Sequence, residues 1–109
     1  MRMLLRVSIP VETGNAAAKA GTLGSTVEKL VSALKPEAAY FFADDDGQRS
    51  GSIVFDMQDA SQIPGIAEPW FAAFNAKVSF RPVMNAQDLA KAAPAIAKAA
   101  KDAGKAPKS

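Results

Sequence analysis

The sequence predicts an α+β fold in which four strands and two helices follow the order β-α-β-β-α-β, with a further helix at the C-terminus. Two observations predict this order. Apolar residues recur at every second position in the first and the last of four segments with strand character, and at helical spacing in the segments between them. The third observation is size, because a chain of 109 residues that is 49 % hydrophobic can build one core.

The first strand is predicted by apolar residues at alternate positions, namely Met3, Leu5, Val7, Ile9 and Val11. A helical stretch then opens at Thr13–Asn15. Its firmest part is Ser25–Glu28, which has the pattern of a capping box, and Pro36 ends it. Gly21 and Gly24 leave open whether the first half of this stretch is a loop or a separate turn of helix.

The middle of the chain predicts a hairpin and a second helix. Residues 37–43 and 52–57 have strand character, and Asp44–Gly47 forms the turn between them. Ser61 is expected to cap the second helix, in which Pro64 fits only the first turn. Pro69 predicts a kink or a restart before Trp70.

The last segments predict a fourth strand and a final helix. Residues 77–84 alternate again, and Pro82 places this strand at an edge of the sheet because proline cannot donate to a ladder. Asn85 and Asp88 are spaced to cap the final helix. Pro94 is expected to interrupt it, and Gly104 with Pro107 to end it.

Two right-handed β-α-β units joined in this way form a ferredoxin-like sandwich, with strands one and three in the middle of the sheet. We therefore divide the chain into a ferredoxin-like domain, residues 1–85, and an Ala/Lys-rich C-terminal helix and tail, residues 86–109. The domain carries 8 Lys+Arg against 9 Asp+Glu, whereas the tail carries 5 Lys against 2 Asp.

The tail is expected to dock rather than to bind nucleic acid. Its five lysines come without arginine or aromatic residues, which would give only weak, salt-sensitive nucleic-acid contact. Leu89, Ala93, Ile96 and Ala100 form one helical stripe, which suits a narrow groove on the domain or on its partner.

Both helices of the domain would cover one face of the sheet, and the other face mixes apolar with charged residues. Such a half-apolar face is usually covered by a partner, so we expect a homodimer through the open sheet face. Arg6, Asp56 and Arg81 lie there on three adjacent strands. They predict either an ion-pair network under the interface or a pocket for a carboxylate or phosphate. Tyr40 would add a hydroxyl to that pocket or pack as a half-buried ring.

Composition excludes several kinds of chemistry. The chain has no cysteine and no histidine, which excludes disulfides, thiolate nucleophiles, catalytic histidine and Cys/His zinc sites. We expect no metal and no cofactor. No apolar stretch is long enough to predict a membrane span, and the lack of cysteine fits a cytoplasmic protein.

The segments Pro64–Phe71 and Val78–Met84, with the strand order and the mixed sheet face, resemble small bacterial proteins of the dimeric α/β-barrel superfamily. The resemblance covers roughly residues 1–90. It implies two subunits packed sheet to sheet around a cleft. Members of that superfamily include antibiotic-biosynthesis-type monooxygenases, haem-degrading enzymes, chlorite dismutase-like proteins and stress-response proteins. This chain lacks the histidine on which the haem branches depend.

These observations favour a small dimeric protein that binds an anionic or aromatic ligand in the cleft between the sheets, at Arg6, Tyr40, Asp56 and Arg81. Two alternatives stay open: a cofactor-free monooxygenase-like enzyme and a purely structural interaction module. The sequence favours a binding protein over an enzyme and assigns no catalytic residue.

Overall fold

The computed structural model describes residues 1–105 and has an α+β architecture of one four-stranded sheet and four helices. The elements are β1 (Arg2–Ile9), α1 (Val11–Lys19), α2 (Leu23–Ser32), β2 (Ala38–Ala43), β3 (Arg49–Asp56), a single 3₁₀ turn (Ala60–Gln62), α3 (Ile63–Phe74), β4 (Lys77–Pro82) and α4 (Ala86–Lys105). The α+β class and all four predicted strands are confirmed.

The sheet is open and antiparallel throughout, with the strand order β2-β3-β1-β4. Strands β1 and β3 are therefore central, as predicted, and β4 is an edge strand that ends at Pro82. Leu5 lies opposite Ile53 on one side and opposite Phe80 on the other, which fixes the register of the three strands.

The core lies between one face of this sheet and the helices. Alternate residues of β1, which are Met3, Leu5, Val7 and Ile9, are all buried. Trp70 and Phe74 of α3 pack on them, each with 2 % of its surface exposed. Because side chains alternate along a strand, the intervening residues of β1 point to the other face. In residues 1–105, no helix packs on that open face to form a second core.

The helical stretch after β1 differs from the prediction in two ways. It consists of two helices, α1 and α2, which are separated at Gly21, whose φ of +76° suits glycine. Val11, predicted in the strand, begins α1 directly after Pro10. The predicted cap at Ser25 is wrong, since α2 begins at Leu23 and the Ser25 hydroxyl donates to the Thr22 carbonyl.

Proline and serine signals were less reliable than the strand pattern. Pro69 lies inside α3 without ending it, because Trp70 and Phe74 hold the helix in the core beyond it. Pro94 and Gly104 lie inside α4, where the many alanines favour a continuous helix. The predicted cap at Ser61 is also wrong: the Asp59 carboxylate accepts from the Ser61 amide and caps the 3₁₀ turn instead.

Helix α4 is attached at its start and exposed along its length. The predicted cap is confirmed, since the Asp88 amide donates to Asn85 Oδ1 at 2.8 Å. Leu89 and Ile96 are 52 % and 55 % exposed, so the described domain does not cover their stripe. Residues 106–109, with the predicted end at Pro107, lie outside the described residues. Within residues 1–105, no helix combines the length and the hydrophobicity that a membrane span requires.

Candidate functional site

A polar depression of about 190 Å³ lies on the open face of the sheet, and we call it the basic hollow. Three cationic side chains line it, those of Arg6, Lys77 and Arg81. Its other polar lining residues are Ser8, Asp44, Ser50 and Ser79. Three cations and one carboxylate give the hollow a net charge of +2.

The antiparallel register of β1 and β4 brings the three cations together. Ser8 lies opposite Lys77, and Arg6 lies opposite Ser79. Arg81 is two residues beyond Ser79 on the same strand, so its side chain shares the face of Lys77 and Ser79. Arg6 is thus flanked along the neighbouring strand by a cation on either side.

Asp44, the one carboxylate of the basic hollow, is already satisfied by local hydrogen bonds. Ser50 Oγ donates to Oδ2 at 2.7 Å, and Ser8 Oγ donates to the same oxygen at 2.8 Å. The Gln48 and Asp46 amides each donate to Oδ1 at 3.0 Å. The Ser50 hydroxyl and the Gln48 amide, with Ser8, lower the pKa of Asp44 from 3.8 to about 2. This carboxylate therefore ties the β2–β3 turn to β1.

The cations of the hollow have no carboxylate of their own. Within residues 1–105, neither Arg6 nor Lys77 nor Arg81 forms an ion pair. Arg6 lies over the ring of Phe42, with 5.5 Å between the guanidinium carbon and the ring centroid, and this contact orients it through a cation–π interaction. An arginine held in place but unpaired can still bind a carboxylate or phosphate through two parallel hydrogen bonds.

The structure brings together two of the four residues that the sequence selected. Arg6 and Arg81 line the basic hollow, whereas Tyr40 and Asp56 do not. Tyr40 lies opposite Ser52, which in turn lies opposite Arg6, so it is two strands away on the same face.

The predicted meeting of Asp56 with Arg6 and Arg81 does not occur. The register places Asp56 opposite Arg2, four residues from the partner position of Arg6, which is about 13 Å along the strand. Its carboxylate instead accepts from the N-terminal amine of Met1 at 2.6 Å and from Gln58 at 2.7 Å. The N-terminal amine is the main cause that lowers the pKa of Asp56.

Sequence reasoning missed Lys77 and Asp44 as members of the site. Lys77 is separated from Ser79 and Arg81 by even numbers of residues, so the three side chains share one face of the strand. The sequence alone was enough to show this. Asp44 was predicted only as a solvated turn residue. Its partner Ser8 lies on β1, far from it in sequence, and its partner Ser50 lies on β3, beyond the turn. Their convergence depends on the register, which the sequence does not state.

Comparison with known proteins places the chain in a family. Residues 1–97 match a family described as a domain of unknown function, DUF3303. The chain belongs to this family. All the residues of the basic hollow fall within the part that matches DUF3303. No curated protein matches the chain.

One similar solved structure is that of a formyltetrahydrofolate deformylase from Pseudomonas putida KT2440. The likeness covers 76 % of this chain and 29 % of that enzyme, with 17 % sequence identity and a TM-score of 0.49. The DUF3303 chain thus spans less than a third of that protein. At this level of similarity the comparison carries no inference about function.

Proposed function

We propose that this chain is a ferredoxin-like binding protein that dimerises through its open sheet face and holds a small anionic ligand, aromatic or not, between the two sheets. The observation that carries the proposal is the basic hollow, in which Arg6, Lys77 and Arg81 converge without an ion pair in residues 1–105. Cations and hydroxyls recognise anions. This composition favours binding over the cofactor-free monooxygenase, and the open hollow favours it over a purely structural module.

Exposed apolar side chains beside the hollow support the dimer. Tyr40 is 68 % exposed and Phe42 is 38 % exposed, and both lie on the open face with the half-buried Leu4 and Val54. Rings exposed on a flat sheet face are typical of a surface that a partner covers. The dimeric α/β-barrel superfamily, which the chain resembles, uses this face in that way.

Ligand binding and dimerisation should strengthen one another. A two-fold axis through the open face sets the basic hollow of one subunit near that of its partner, and like charges in a partly dry interface repel. An anion between them reduces this repulsion. A ligand that binds the dimer more tightly than the monomer shifts the equilibrium toward the dimer, so anions should tighten the dimer.

Calorimetric titration with benzoate and benzamide tests the proposal, because the two compounds have the same shape and differ in charge. Benzoate should bind and benzamide should bind at least about tenfold more weakly, a difference of about 1.4 kcal/mol. Arg6→Gln and Arg81→Gln should each weaken benzoate binding. Lys19→Gln is the control, since Lys19 is a cation that lies outside the basic hollow.

Equal binding of benzoate and benzamide would contradict the proposal, as would an Arg6→Gln variant that binds benzoate like the unchanged protein. Thermal unfolding of each variant shows that the fold is intact. Arg6 and Arg81 are exposed, so neither substitution should lower the melting temperature by more than a few degrees.

A further inference from the structure

A second and larger depression lies on the opposite side of the sheet, between helix α2 and the strands β2 and β3. Its volume is about 650 Å³, and we call it the helix-side groove. Most of its lining is apolar, including Val7, Ile9, Val27, Val31, Phe41 and Trp70. Small-molecule sites in proteins have volumes of about 300–1,000 Å³, with mainly apolar walls and a few polar groups.

Two glycines give this groove its shape. Gly51 is the third residue of β3, and a Cβ there would stand 3.3 Å from the ring of Phe41, which therefore lies against bare backbone. Gly14 is buried inside α1, and a Cβ there would stand 2.6 Å from Arg49 Nη1. Glycine is unfavourable relative to alanine inside a helix or a strand. At both positions it makes room for a side chain that lines the groove.

Arg49 is the positioned charge of the helix-side groove. Its Nη1 donates to Asn15 Oδ1 at 3.2 Å, and it forms no ion pair within residues 1–105. Glu28 of α2 also lines the groove; both side chains are exposed, but Glu28 forms no hydrogen bond in the described part of the chain. Arg49, the one of the two that a hydrogen bond holds in place, is therefore the charge that a ligand must match.

We propose that the helix-side groove binds a carboxylate with a long apolar tail, a ligand of the fatty-acid class. The tail lies between α2 and the sheet, against Val27, Val31 and Trp70, and the carboxylate binds Arg49. Burial of the tail provides the binding energy, and the arginine provides the preference for an anion. This site lies on the other face of the sheet from the basic hollow and does not depend on the function proposed above.

The fluorescence of Trp70 reports directly on this groove. Trp70 is the one tryptophan of the chain, is 2 % exposed and lines the groove. Titration with dodecanoate, below the concentration at which it aggregates, should change the emission in a saturable way. Dodecanol, which has the same tail without the charge, should bind about tenfold more weakly.

Two pairs of variants locate the site. Arg49→Met should reduce dodecanoate binding to the level of dodecanol, whereas Arg81→Met, on the other face, should not. Gly24 lines the groove, and a Cβ there meets nothing within 4 Å, so Gly24→Phe should fill the groove without unfolding the protein. Gly65→Phe is its control, since Gly65 is also helical and open but lies outside the groove.

Several results would overturn the proposal. One is an emission that neither dodecanoate nor dodecanol changes, and another is equal affinity for the two compounds. A third is dodecanoate binding that survives both Arg49→Met and Gly24→Phe. A fourth is dodecyltrimethylammonium that binds more tightly than dodecanoate and loses this binding in Glu28→Gln. That result would assign the groove to cations and contradict the role of Arg49.

Discussion

Replacement of Tyr40 should weaken the proposed dimer about 30-fold without destabilising the single chain. Tyr40 is 68 % exposed on the open face, so little of its ring contributes to the fold of one subunit. Full burial of a large apolar side chain contributes about 1.5–3 kcal/mol, and burial of the exposed part of this ring about 1 kcal/mol. A two-fold interface contains the residue twice, which gives about 2 kcal/mol for Tyr40→Thr.

Phe41 provides the matched control, because it is the next residue of β2 and points to the other side of the sheet. It is 59 % exposed, and Phe41→Thr removes a similar ring. Threonine favours strands, so both variants should keep β2. Sedimentation velocity over a range of concentrations measures the dissociation constant of each dimer. Equal constants for the unchanged protein and Tyr40→Thr, or an equal loss in both variants, would refute the assignment of the open face.

Three further predictions concern the sheet core, the cap of helix α4 and the β2–β3 turn. Leu5→Ala, at a position with 0 % exposure, should lower the free energy of unfolding by about 2–5 kcal/mol, as measured in urea. A smaller loss than that of Leu4→Ala would contradict the placement of Leu5 in the core. Asn85→Ala removes the cap of α4, should cost about 1 kcal/mol and should speed amide exchange in its first turn; unchanged exchange would argue against the cap. Because folding lowers the pKa of Asp44 to about 2, its stabilisation is present above pH 3.8 and is lost as the pH falls toward 2. Acid unfolding of Asp44→Asn should lack this component, and a curve identical to that of the unchanged protein would contradict it.

The strands could be predicted from the sequence because their apolar period is a local property. Alternate burial of Met3, Leu5, Val7 and Ile9 follows because only one face of the sheet packs against the helices. The order of the strands also followed, since two crossovers of the same hand leave few arrangements. The helix ends were harder to predict. Helix α3 continues past Pro69 because Trp70, the next residue, packs in the core.

The candidate site could be predicted only in part, because it depends on register. A shift of four residues separates the position opposite Arg6 from Asp56, and no local pattern in the sequence reveals that shift. Arg6 and Arg81 came together because they lie on neighbouring strands and both side chains point to the open face. The helix-side groove was missed altogether. Glycine inside a strand is a signal of close approach, but the third strand was predicted to begin at residue 52, so Gly51 lay outside it. The ring that approaches it, that of Phe41, was not identifiable without the structure.

Native mass spectrometry tests the central claim most directly, because it reports the oligomeric state and a bound ligand in one spectrum. Protein exposed to benzoate should give a dimer that carries added benzoate, and the dimer fraction should fall when benzamide replaces benzoate. Lys19→Gln should leave that spectrum unchanged, and Arg81→Gln should reduce the benzoate-bound dimer. A bare monomer at micromolar concentration, with and without benzoate, would contradict the assignment of the open face and its basic hollow as a shared anion site.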